Sequence, residues 1–280
     1  ETGTNDRYAN YISGNSTSIL TFLYTVQSGD NSIDLDYKST DSLSENNGTI
    51  RDSSGNDALL TLPTPGSTGS LSVNKSFVIG EWRQETYIKS TNIDIGDLFG
   101  QSLSFDNVTL AVGAKSESSN QSTITNGTSA SDVKVGQNNA GYRSGAVYVY
   151  KRTGTTWAQE AYIKAANNER LDEFGSFVSL GKDMLAVGAI YESSNQTTIT
   201  NGTGASSDNS NNKSGAVYVY RRIGTTWAQA AYIKSADNSY QDFYGGSVSF
   251  SANKLSVSAG NSYNGSGGGG AVYIYAITGD

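Results

Sequence analysis

Two sets of carboxylates in this chain have the residue types and spacing to hold a cation. The denser set is Asp30, Asp34 and Asp36 in "SGDNSIDLDY", with Asp52, Asn56 and Asp57 in "RDSSGND". Asp34 and Asp36 are two residues apart, so on a strand they point to one side. If the two loops meet at one end of a sandwich, four or more oxygens converge, which is the hard-ligand shell calcium takes. The second set is Asp97, Asp172 and Asp242, each two residues before a Phe-Gly or Tyr-Gly pair, with Asn92, Asn167 and Asp237 five residues further upstream. One carboxylate per loop would act there with backbone oxygens. The competing reading of both sets is that Asp and Asn side chains satisfy turn N–H groups. Calcium is the one cofactor these residues point to.

Other chemistry is poorly served. The 280 residues include no histidine and no cysteine, which removes the commonest general base, imidazole triads, thiolate nucleophiles and thiolate metal sites. A carboxylate pair for glycoside cleavage would have to come from Glu160, Glu169, Asp172, Glu173 and Asp183, several of which belong to a repeat, with none set apart among aromatics. The chain therefore reads as no enzyme. A net charge of −7 with scattered Lys and Arg disfavours nucleic acid. The longest apolar run, Ile19–Tyr24, is far too short to span a bilayer. N-x-S/T occurs ten times, as glycan acceptors in a eukaryotic secretory route or as a product of an Asn/Ser/Thr-rich composition.

The elements that must position these residues are strands. Apolar residues are 36% of the chain, with 32 glycines and two prolines, a mix that suggests many short strands joined by polar turns. Residues 1–79 carry five or six strand-like runs, among them Ser18–Val26, Ile33–Tyr37, Ala58–Leu62 and Ser70–Ile79. In Ser18–Val26 the set Leu20, Phe22, Tyr24 and Val26 makes a core face. From Trp82 onward a unit repeats. Tryptophan recurs at Trp157 and Trp227, "FG" at 99–100 and 174–175 with "YG" at 244–245, and "AVGA" at 111–114 and 186–189 with "SVSA" at 256–259. Each unit closes on "GAVYVY" or "GAVYIY". Only the segments 115–144, 190–214 and 260–269 change length, which marks loops on one side of a rigid scaffold. In "AVYVY" both faces are apolar, as in sheets stacked face to face, the packing of propeller blades. The tryptophans and the tyrosines of these strands fit packing between blades.

"TFLYTVQSGDNSIDLDY" followed by "GTIRDSSGNDALLTLPTPGS" resembles the immunoglobulin-like repeats of bacterial surface proteins. "DEFGSFVSLGKDMLAVGA … SGAVYVY" resembles the FG-GAP repeat of integrin α-subunit propellers, in its bacterial form. The resemblances imply an all-β chain: a partial Ig-like β-sandwich over 1–79 that lacks its first strand or strands, then, over 80–280, three four-stranded propeller-type blades at about 82–150, 157–220 and 227–276. The integrin calcium loop does not carry over, because "SFDNVTL", "SLGKDML" and "SFSANKL" stand in its place. The implied function is that of a non-catalytic extracellular or cell-surface structural and adhesive protein. A strand-deficient sandwich and three blades lead to self-association as a homo-oligomer or filament, by strand donation or blade completion. The alternative is an adhesin module that binds surface glycans or a receptor through loops 115–144 and 190–214.

Overall fold

The computed structural model describes residues 2–3, 7–80, 84–92, 94–130, 141–261 and 269–277. They divide into two compact units, Glu1–Glu85 and Thr86–Asp280. Trp82 lies outside the described residues.

Unit 1 departs from the sandwich expected over 1–79. Among its described residues the ordered sheet is one antiparallel pair, β1 (Asn10–Ser13) with β2 (Thr21–Leu23), held by an edge contact between Tyr11 and Phe22. Isolated bridges join Ser32 to Ile79 and Arg51 to Asp57. The runs Ile33–Tyr37 and Ala58–Leu62 are not strands. Within Ser70–Ile79 the chain makes a single helical turn, α1 (Leu71–Asn74), because the Ser70 side chain caps it by accepting from the Val73 N–H. The core face expected on Ser18–Val26 is not buried: Leu20, Phe22 and Val26 are exposed. The physical reason is that among the described residues no second sheet faces it, and a lone hairpin cannot bury an apolar side.

Among its described residues unit 2 forms three antiparallel sheets. The first contains β3 (Phe99–Asp106), β4 (Thr109–Ala114), β5 (Ile124–Asn126), β6 (Ala146–Thr153) and β7 (Thr156–Ile163), in the order β3-β4-β6-β7-β5. The second repeats it with β8 (Phe174–Gly181), β9 (Met184–Ala189), β10 (Ile199–Asn201), β11 (Ala216–Ile223) and β12 (Thr226–Ile233), in the order β8-β9-β11-β12-β10. The third has β13 (Tyr244–Ser251), β14 (Lys254–Ala259) and β15 (Ala271–Ala276).

The expected four strands per repeat thus become five, five and three among the described residues, and the repeat is out of phase with the sheet. The strand that opens a sequence unit, "TWAQEAYI", does not begin that unit's sheet. It turns back from β6 through a tight hairpin and pairs with it, Val147 opposite Ile163 and Arg152 opposite Trp157. β12 does the same to β11. The fifth strands come from the variable loops: "ITN" in each pairs with the outer edge of β7 or β12.

The sheets stack because each has two different apolar faces. One is aromatic: Phe174 meets Tyr218 and Tyr220 edge-on at 5.2 and 6.1 Å, and Val178 and Leu180 lie beside them. The other is small and β-branched, as with Ala111, Val147, Val149, Ala161 and Ile163 of the first sheet. The small face of the first sheet packs on the aromatic face of the second. The small face of the second, with Ala186, Val217 and Val219, packs on Tyr244, Val248 and Leu255 of the third. Glycine permits the approach. A Cβ on Gly113 would lie 2.1 Å from the carbonyl oxygen of Gly175, and one on Gly188 would lie 2.3 Å from that of Gly245. The "GA" of one sheet therefore sits on the "FG" of the next, backbone to backbone.

Candidate functional site

The acidic set of unit 1 is drawn into separate local networks. Asp30 is buried and accepts from Arg7 Nε at 3.0 Å, from the Gln27 N–H and from the Tyr24 hydroxyl; the Tyr24 hydrogen bond leads the causes that lower its pKa. Asp36 lies against the helical turn. Burial opposes its ionisation, but hydrogen bonds from Ser72, Gly66 and Tyr37 outweigh it and hold the carboxyl at about 2. Asp52 closes an Asx turn, accepting from Ser54 N–H, Asn56 N–H and Asn56 Nδ2, and Asp57 pairs with Arg51 at 2.6 Å. Asp34 is exposed. Among the described residues no three His, Cys, Asp or Glu side chains come together in a way that could hold a metal ion. The place of the integrin calcium loop is a two-residue hairpin turn, Asn107-Val108, Lys182-Asp183 or Ala252-Asn253.

Asp97, Asp172 and Asp242 have a different setting. All three are buried, and they flank two lysines that sequence reading passed over, Asp97 and Asp172 beside Lys164, Asp172 and Asp242 beside Lys234. Lys164, at the end of β7, is fully buried and donates to Glu117 Oε2 at 2.6 Å and Ser144 Oγ at 2.8 Å. Glu117 also accepts from Ser119 N–H and Oγ and from Asn92 Nδ2. The second sheet repeats this set: Lys234 to Glu192 at 2.6 Å and to Ser214 at 2.7 Å, with Ser194 N–H, Tyr232 OH and Asn167 Nδ2 also on Glu192. Burial pulls both lysines below their usual range, opposed by the paired glutamates. Burial, then the charge of Glu117, pushes Asp97 up to about 6. Asp172 is driven up in the same way, by burial and then Glu192, and its Oδ2 meets no donor. Below about pH 6, where Asp97 holds its proton, the lysine–glutamate pair beside it leaves that cluster neutral. The clusters bind the loop that follows "AVGA" to the end of the fourth strand. The signal for them is in the sequence: "ESSN" at 117–120 and 192–195, and "YIK" at 162–164 and 232–234, recur together.

The carboxylates considered for glycoside cleavage are engaged elsewhere. Glu160 receives Arg222 Nε and Nη2 at 2.9 and 2.5 Å and Trp227 Nε1 at 3.0 Å. Glu173 pairs with Lys115 and Arg143, and Asn209 donates to Glu169. Asp183 stands 3.8 Å from Arg222 and is half-exposed. Trp227 is buried between the first and second sheets, and both its backbone groups meet the amide of Asn126. Asn126 heads one of the N-x-S/T sequons, so a glycan there would displace this contact. Among the described residues no helix is long and apolar enough to cross a membrane.

Three surfaces of unit 2 lack the cover their counterparts have. On the aromatic face of the first sheet, Leu103 and Phe105 are each 62% exposed, whereas Val178 and Leu180, at the same positions of the second sheet, are 8% exposed. On β15, Val272 and Ile274 are 70% and 71% exposed, and among the described residues β15 pairs only with β14. Between the outer strands of the second and third sheets lies a mainly apolar cleft of about 710 Å³, lined by Asn201, Ala230, Phe250, Tyr275 and Ile277 among others.

Residues 157–220 match the FG-GAP repeat family. The match begins on β7, in the first sheet, and ends on β11, in the second. That segment is thus similar to an FG-GAP repeat, and the all-β sheets of unit 2 fit the propeller-like fold of such repeats. A comparison with curated proteins found no match.

Proposed function

We propose that this chain is a non-catalytic, extracellular structural and adhesive protein that associates with copies of itself through the blades of unit 2. The observation that carries the reading is the contrast between equivalent residues. Val178 and Leu180 are covered by a neighbouring sheet, while Leu103 and Phe105 present the same face to solvent. An aromatic patch of this kind on an extracellular module marks an interaction surface. The buried lysine–glutamate clusters support a scaffold role, since Lys164 and Lys234 tie the loops after β4 and β9 to the ends of β7 and β12. Sedimentation velocity over a wide concentration range tests the proposal. The wild-type mass distribution should grow with concentration, and Leu103→Ser with Phe105→Ser should hold it at the monomer without changing the circular dichroism spectrum. A wild-type chain that stays monomeric throughout overturns it.

A further inference from the structure

The buried clusters of unit 2 place an amine, a carboxyl and a second carboxyl together away from water, and they do so twice. In the first, Lys164 Nζ donates to Glu117 Oε2 at 2.6 Å, and both side chains are buried. The other glutamate oxygen, Oε1, accepts from the Ser119 N–H at 3.0 Å and from Asn92 Nδ2 at 3.3 Å, while Ser119 Oγ supports Oε2 at 3.1 Å. In the second, Lys234 Nζ donates to Glu192 Oε2 at 2.6 Å. Its Oε1 accepts from Tyr232 OH at 2.8 Å, from the Ser194 N–H at 3.2 Å and from Asn167 Nδ2 at 3.4 Å. In both copies one oxygen faces the amine and the other lies among donors arranged as they would be around an oxyanion.

The third member of each cluster is an aspartate at the repeat position before "FG": Asp97 beside Glu117 and Lys164, Asp172 beside Glu192 and Lys234. Burial favours the neutral amine on the lysines and the neutral acid on the aspartates. Those are the forms that a nucleophile and a proton carrier need. Asp172 is buried, and its Oδ2 has no donor, so one oxygen of that carboxyl is open to a proton.

We propose that each cluster is a site of spontaneous amide formation within one chain, joining Lys164 Nζ to Glu117 Cδ and Lys234 Nζ to Glu192 Cδ. The inference does not depend on self-association. The lysine first passes a proton to Oε2 along the hydrogen bond they share. The free amine then attacks Cδ, and the charge that develops on Oε1 is met by the donors already in place. The aspartic acid hands its proton to the Oε2 hydroxyl and takes a second proton from the nitrogen, and the Cδ–Oε2 bond breaks. One water leaves, the aspartic acid ends as it began, and no oxidant or cofactor is consumed. Exclusion of bulk water disfavours the reverse hydrolysis. The bonds fasten the loops after β4 and β9 to the ends of β7 and β12, across 47 and 42 residues. Lys89 has the same "YIK" setting in sequence but is exposed, and serves as the unreacted comparison.

Intact-mass spectrometry of the denatured chain tests the proposal. The expected mass lies below the sequence mass by one water for each bond. After trypsin, two branched peptides should appear, 116–134 joined to 153–170 and 183–213 joined to 223–254, with the chain uncut at Lys164 and Lys234 and cut at Lys89. Lys164→Met should lose only the water of the second cluster, and Lys234→Met only that of the first. In each variant the remaining bond shows that the fold has formed. Asp97→Asn, which cannot carry the proton, should lower the fraction of chains with the first bond at harvest and leave the second complete. A chain at its full sequence mass, cut after both lysines, overturns the proposal. So does a missing water without the branched peptides, which places the loss elsewhere. A branch from Lys164 to Asp97 overturns the glutamate as the carboxyl partner, and a covalent dimer overturns a bond within one chain.

Discussion

At the level of single residues, the buried clusters set a direction for the pH dependence of unit 2. Asp97 keeps its proton up to about pH 6 in the folded chain, against an ordinary value of 3.8. Between those values the unfolded chain loses the proton first, so it binds fewer protons than the folded chain, and stability falls as pH rises. Asp172 is shifted in the same direction. Asp30, Asp36 and Asp52 are shifted the other way; their contribution is lost as pH falls below 3.8 and belongs to a different window and to unit 1. Asp97→Asn keeps the shape of the protonated carboxyl and cannot ionise. Its melting temperature should vary less than wild type's between pH 4 and 6, with the difference growing toward the upper end, as scanning calorimetry would record. Equal slopes for the two proteins across that window would mean that Asp97 is ionised in the fold. Only part of this was legible in the sequence. The three aspartates stand out by position, but their role depends on Lys164 and Lys234, which sit at strand ends where a lysine ordinarily reaches water. Their burial follows from the loop that folds back over them, and that contact spans 47 residues between Glu117 and Lys164.

At the level of strands, the spacing of "FG", "AVGA" and "GAVYVY" located the strands well and the sheet boundaries poorly. Periodicity reports which residues alternate, not which neighbour a strand pairs with. The sequence unit opens on tryptophan, whereas the sheet opens on "FG" and closes on the next unit's tryptophan strand. The hint was the constant two-residue turn between them, since a turn that short makes a hairpin of its flanking strands. In residues 1–79 the alternation of Ser18–Val26 is real, yet only Thr21–Leu23 pairs, because a half-buried pattern predicts a strand only where something covers it. The glycines were more informative than their composition suggests. Gly188→Ala places a Cβ against the Gly245 carbonyl and should force the second and third sheets apart, at a cost of about 1–3 kcal/mol. Ser258→Ala, at the same position of the third sheet, should cost little, since a side chain is already accommodated. Urea denaturation of the two variants compares them directly; equal midpoints would mean that the sheets do not meet at their glycines.

For the molecule as a whole, the asymmetry of unit 2 bears on the self-association proposed above. Its first sheet ends in Leu103 and Phe105, its third in Ser247, Ser249, Ser256 and Ser258 with Val272 and Ile274 on the outer strand. In arrays of stacked repeats a polar outer face on a terminal unit is what stops stacking. Here the replacement of "AVGA" by "SVSA" has that character at β14, while β15 stays apolar at its edge. One end therefore presents an apolar face and the other a serine-lined one. Restoring the second sheet's surface at the polar end should remove this limit. In Ser256→Ala with Ser258→Gly, the third sheet carries the same close-approach glycine that lets Gly188 meet Gly245, and the aromatic face of another copy's first sheet can seat on it along its whole width. At equal concentration the double variant should sediment as longer assemblies than wild type. Adding Leu103→Ser and Phe105→Ser should return it to the monomer, because both the gained contact and the association proposed for wild type use that face. A double variant no larger than wild type would mean that the serines do not set the limit.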